Sequence, residues 1–121
     1  MRVFLLVGLG GFLGSVCRYA LSLLPLSGKT GFPFATLLIN VIGSLLIGIL
    51  AGIAQREIAW HADWFAFLRT GFCGGFTTFS TFALETAELM SGGQSVWGFA
   101  YVAASILLGL GAIYAGQALV S

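Results

Sequence analysis

The sequence predicts an all-α integral membrane protein of four transmembrane helices, and three observations predict it. Of 121 residues, 59% are hydrophobic and only 7% charged. Soluble domains carry about 25% charged residues, so a water-facing surface cannot be assembled from this pool. The mean hydropathy is +1.04. Finally, four apolar segments, roughly 3–24, 32–54, 64–90 and 95–118, fill the chain, and a spanning helix needs about 20 such residues. They form a single four-helix transmembrane domain over 1–121 with no soluble domain. The net charge of +1 offers no basic patch for phosphates, so nucleic acid is not a partner.

The first segment follows Arg2 and carries Gly10 and Gly14 before Arg18. Its outline suits a signal peptide, but Val16 is too large for a lipoprotein cleavage before Cys17, so it reads as the first span. The second has a stripe of Asn40, Ser44, Gly48 and Gly52 along one face. The third is marginal, interrupted by Arg69, Glu85 and Glu88. The fourth places Tyr101, Ser105, Gly109 and Ala112 on one face. Gly10/Gly14, Gly48/Gly52 and Gly71/Gly75 permit close helix approach. Cys17 and Cys73 lie in different helices without a histidine cluster and read as packing residues. His61 belongs to the polar connection between Arg56 and Asp63.

Four spans put both termini and the 55–63 connection on one side, with Arg2, Arg56 and Arg69. Lys29 and a snorkelling Arg18 belong to the other. Three against two is a weak positive-inside bias. It permits one weakly specified orientation, or insertion both ways with antiparallel pairing. Four thin helices enclose little, which points to an oligomer.

Chemistry concentrates in the third segment, in Gly71-Phe72-Cys73-Gly74-Gly75-Phe76-Thr77-Thr78-Phe79-Ser80-Thr81-Phe82. Lipid satisfies no unwound backbone or hydroxyl, so this stretch must face protein, water or an ion. The Gly74-Gly75 pair can unwind a helix cheaply, which places a break near Gly74–Thr78. Carbonyls freed there, paired from two copies, would suit a small hard cation such as Na+. Hydroxyls and half-helix N-termini would instead suit an anion. The plain alternative is that Thr and Ser bond back to the preceding turn. Asn40 offers two amide donors at membrane depth, for another helix or for an anion. Phe79 and Phe82 share a face, and ring edges are electropositive. Glu85 at depth is a functional candidate, while Glu88 lies nearer the interface.

At these residues the chain resembles the Fluc (CrcB-type) fluoride channel family. The resemblance rests on Gly10-Gly11-Phe12-Leu13-Gly14 leading to Arg18-Tyr19, on Asn40-Val41-Ile42-Gly43-Ser44, and on Gly74 through Phe82. It is looser in the fourth helix, at Tyr101 and Ser105. It implies an antiparallel, dual-topology dimer with two pores in a bacterial inner membrane. A structural Na+ would sit at its centre on the carbonyls of Gly74 and Thr77 from both copies. Fluoride would pass Asn40 and the rings of Phe79 and Phe82, with Ser80 and Thr81 in the same motif. A polar track would continue through Thr81, Glu85, Ser105 and Tyr101, and Arg18 would gather anions at a pore mouth. Gly109 stands where the family can carry a hydroxyl.

The resemblance implies passive fluoride export that relieves toxicity. The competing reading is a small multidrug-type proton-coupled antiporter, which shares the helix count. Its chemistry needs a carboxylate deep in helix one, and residues 3–24 contain no Asp or Glu. A non-conducting packing subunit explains the glycines but not Asn40, the hydroxyls and Glu85 together. No Ser/His or Cys/His pair supports an enzyme.

Overall fold

The structure, a computed structural model, describes residues 1–26, 31–56 and 61–121. Lys29 lies outside the described residues, as does part of the 55–63 connection. Among the described residues every secondary-structure element is a helix, with no strand. Helix α1 spans Arg2–Ser22 and stops just before Pro25, whose ring disfavours a helical residue ahead of it. Helix α2 spans Phe34–Gln55, with Pro33 at its N-cap, where a missing N–H costs nothing. Helix α6 spans Ser95–Leu119. All three are long and apolar enough to cross a membrane.

The third crossing is built from pieces. Helix α3 (Ala62–Phe65) leads into a π-helical segment, Ala66–Cys73, and a short helix α4, Gly74–Phe76. Thr77 and Thr78 are extended, with ψ of 160° and 123°. Helix α5 then runs over Phe79–Ser91. Gly92 and Gly93 end it, and Gly93 has φ 78°, a conformation glycine adopts without strain. Each crossing lies near its expected bounds, but nothing in the apolar pattern announced the π segment.

The break falls where the sequence places it, within Gly74–Thr78, but the glycines are not what unwinds. Gly74 is helical, with φ −63° and ψ −38°. Gly75 serves close packing: a Cβ there would stand 2.5 Å from the Gly11 carbonyl oxygen. Gly10 and Gly71 are matched in the same way, a Cβ on either meeting the other's Cα at 3.0 Å. On the opposite flank, a Cβ on Gly48 would reach the Ile113 Cα at 2.9 Å, and one on Gly116 the Ile49 nitrogen at 2.7 Å. Two tight pairs result: α1 against the π segment and α4, and α2 against α6. The break lets the third crossing change partner, because α5 packs on α6.

Two polar ties close the end that carries both termini. Arg2 Nε lies 2.9 Å from Asp63 Oδ2. Arg56 Nη1 donates to the Val120 carbonyl at 2.6 Å, satisfying an orphan acceptor at the end of α6.

Candidate functional site

The site is assembled around the extended pair Thr77-Thr78. Asn40, on α2, takes up the backbone of Thr78 from both sides. Its Nδ2 donates to the Thr78 carbonyl at 3.2 Å, and the Thr78 N–H donates to its Oδ1 at 3.0 Å. The side-chain amide therefore pairs as a neighbouring strand would. It also fixes the orientation of the amide and leaves one N–H of Nδ2 uncommitted.

Side chains intercept the helical bonds across the break. In an unbroken helix the Gly74 carbonyl would accept from Thr78 N–H, which goes instead to Asn40. The Thr77 carbonyl would accept from Thr81 N–H, which goes to the Thr78 hydroxyl at 3.2 Å, the N-cap of α5. The Gly75 carbonyl accepts from Arg18 Nε at 3.1 Å. Gly74 is exposed, and a Cβ there would meet nothing within 4 Å. Gly74 and Thr77 thus offer carbonyl oxygens released from the helix, a donor set that fits a hard cation such as Na+. The Thr77 hydroxyl bonds back to the Cys73 carbonyl at 2.8 Å and serves the chain itself.

Beside the break lies a groove of about 360 Å³ lined by Asn40, Ser44, Thr77, Thr78, Phe79 and Phe82, and by Ser105 from α6. The Ser105 hydroxyl is buried and has no hydrogen-bond partner. Phe79 is 79% exposed, while Phe82 is half-buried. Their ring centroids are 5.9 Å apart at 53°. Phe82 also meets Tyr101, at 5.0 Å and 58°.

Tyr101, fully buried, leads to the second cluster. Its hydroxyl donates to Glu85 Oε1 at 3.1 Å. Thr36, also buried, lies beside both Glu85 and Tyr101. Phe32 closes over them, its ring 5.5 Å from that of Tyr101. Beyond is a cavity of about 380 Å³ whose lining includes Ser22, Glu85, Glu88 and Gln94.

The fold therefore brings Asn40, Thr77, Phe79, Phe82 and Ser105 to one groove, and joins Glu85 and Tyr101 to it through Phe82. Other expected residues fall elsewhere. Ser80 is exposed on the outer face of α5 and does not line the groove. Thr81 meets the site through its backbone N–H. Arg18 reaches the third crossing, where its Nε donates to the Gly75 carbonyl. Thr36 and Phe32 were not expected. Thr36 had a signal: it stands four residues before Asn40, continuing the stripe through Ser44.

Residues 5–117 match the family model described as "CrcB-like protein, Camphor Resistance (CrcB)". The chain belongs to the CrcB family. Curated relatives agree along almost the full length. A "Fluoride-specific ion channel FluC" of Chlorobaculum tepidum is 48% identical over 120 residues, covering 98% of this chain and 94% of the relative. Proteins of the same name from Rhizobium meliloti and Ruminiclostridium cellulolyticum are each 45% identical. The former alignment covers 98% of this chain and 96% of the relative, the latter 93% and 88%. Family members so named are channels and not enzymes, and the three apolar spans agree with a multi-pass membrane protein.

Proposed function

We propose that this chain is a passive, highly selective fluoride channel of the bacterial inner membrane, exporting F− from the cytoplasm. The relatives' names support the substrate. One structural observation carries the reading: Ser105, whose hydroxyl is buried and unpartnered, belongs to the lining of the groove shared by Asn40, Phe79 and Phe82. A buried hydroxyl without a partner costs about 1–3 kcal/mol, a cost that an ion moving through the groove relieves.

Fluoride is small and holds its water strongly. A pore must replace that water with several donors, yet release the ion. The uncommitted Nδ2–H of Asn40 and the hydroxyls of Ser44 and Ser105 are neutral donors of that kind. The edges of Phe79 and Phe82 carry positive charge without a formal cation. The first turn of α5 adds unsatisfied N–H groups and the positive end of its dipole. Tyr101 holds the Glu85 carboxyl by a hydrogen bond from α6.

The functional unit in this reading is an antiparallel dual-topology homodimer with two pores. Exposed Gly74, Phe79 and Ser80 give the third crossing an outward face that another copy would cover. A central structural Na+ would be held by the Gly74 and Thr77 carbonyls of both copies. Its chemistry is to neutralise converging carbonyl dipoles and hold the two breaks together.

The test is fluoride efflux from liposomes containing purified protein, driven by a K+ gradient with valinomycin and with chloride as control. Fast fluoride loss with chloride retained is expected. A well-folded dimer without fluoride flux overturns the proposal, and would turn attention to proton-coupled cation export through Glu85.

A further inference from the structure

We infer that Arg69 of each copy pairs with Glu88 of the second copy, forming two reciprocal ion pairs that fix the antiparallel register and bring a cation to each outer cavity. The inference rests on the antiparallel pairing proposed above and adds the contact that selects it.

The third crossing has an exposed face, interrupted between Gly74 and Phe79, where residues 75–78 are not exposed. Arg69 and Thr70 open it, Gly74 and Phe79 mark its middle, and Ala87 and Glu88 close it. The face has a cation toward one end and an anion toward the other. Among the described residues, the other arginines are engaged: Arg2 with Asp63, Arg18 with the Gly75 carbonyl and Arg56 with the Val120 carbonyl. Arg69 and Glu88 form no ion pair within the chain among those residues. Charged groups within a span are expensive to leave against lipid and pair wherever they can.

The break is the natural centre of a two-fold pairing, because the freed carbonyls lie there. Arg69 precedes Thr77 by eight residues, and Glu88 follows Thr78 by ten. At a rise of 1.5 Å per residue in α-helix, and less in the π segment, they stand about 10–12 and about 15 Å from the break. A two-fold axis through the break therefore brings Arg69 of one copy nearly level with Glu88 of the other. Helical side chains tilt toward their own N-terminus. The tilt carries Arg69 outward from the break and Glu88 back toward it, which narrows the difference. In a parallel pairing, like charges would meet instead.

The pairing also answers a problem in the outer cavity. Its described lining includes Glu85 and Glu88, which is adverse to a leaving anion. Arg69 from the second copy would stand at that end of the membrane.

Charge reversal tests the inference. Differently tagged full-length chains carrying Arg69→Glu and Glu88→Arg would be expressed alone and together, and dimers counted by single-molecule photobleaching in bilayers. Each variant alone puts like charges at both contacts, and at least a tenfold weaker homodimer is expected. The mixed dimer restores both pairs, so co-expression should yield mixed dimers in at least tenfold excess. The chain with both substitutions should dimerise as the unsubstituted one does, which guards against variants that merely fold badly. Dimers of every variant at unsubstituted strength overturn the ion pair while leaving antiparallel assembly intact. A preference of the chain with both substitutions for the unsubstituted chain over a copy of itself indicates parallel pairing and overturns both. A monomeric unsubstituted chain overturns the assembly reading itself.

Discussion

Asn40, Ser105 and the two phenylalanines have separable roles. The Ser105 hydroxyl is buried without a partner, so it contributes nothing to stability. Ser105→Ala should leave melting unchanged or raise it by up to about 1 kcal/mol of stability, since the unmet desolvation cost disappears. Fluoride flux should fall at the same time, by about tenfold if one donor is worth about 1.4 kcal/mol in the rate-limiting position. Unchanged flux would remove Ser105 from the pathway. Asn40 differs because it makes two bonds to Thr78. Asn40→Asp keeps the acceptor for the Thr78 N–H but sets an oxygen against the Thr78 carbonyl. Loss of both flux and about 1–3 kcal/mol of stability is expected, measured by liposome efflux and thermal melting. Phe79→Ile and Phe82→Ile keep apolar bulk and remove the ring edge. Both should cripple conduction while the dimer still assembles, and normal flux in both would sink the role given to the rings.

The helices reveal which glycines matter, and the sequence could not rank them. Gly75→Ala pushes a methyl to 2.5 Å from the Gly11 carbonyl oxygen and 2.9 Å from its Cα. Backbone cannot yield as a side chain does, so a loss of about 1–3 kcal/mol is expected. Gly8→Ala and Gly111→Ala meet nothing within 4 Å and should be neutral or slightly stabilising, by about 0.5–1 kcal/mol. Thermal melting of the three variants side by side checks this, and equal melting would refute the close packing of α1 on α4. Composition and segment length made the four crossings legible, because lipid imposes both. The Gly74–Phe82 motif made the break legible. Less legible was the agent of the break: Gly74 and Gly75 drew attention as flexible residues, yet Asn40 and the Thr78 hydroxyl do the unwinding by capturing N–H groups. That capture depends on a contact across 38 residues, which no local pattern records. The π segment, which packs against α1, was not legible in the residue pattern either.

At the scale of the whole molecule, the question is what holds the outward face of the third crossing. That face exposes carbonyls freed by side-chain capture, in a medium that offers them no donors. A second copy alone would press like dipoles together, so a cation between them is the simplest remedy. Oxygen donors without a carboxylate favour a weakly charged hard ion over a divalent one, and Na+ fits the proposed arrangement. Anything that binds only the assembled state stabilises it by mass action, about 2.7 kcal/mol at a hundredfold excess over its dissociation constant. Purified protein should therefore melt at a higher temperature in Na+ than in N-methylglucamine at equal ionic strength. The difference should vanish when Asn40→Ala releases Thr78 N–H back toward the Gly74 carbonyl. This readout is independent of flux, so it separates the cation from the fluoride pathway. Identical melting in Na+ and N-methylglucamine, with dimers intact in both, would remove the cation from the assembly. The Gly74 and Thr77 carbonyls would then have to find their donors in the second copy or in water.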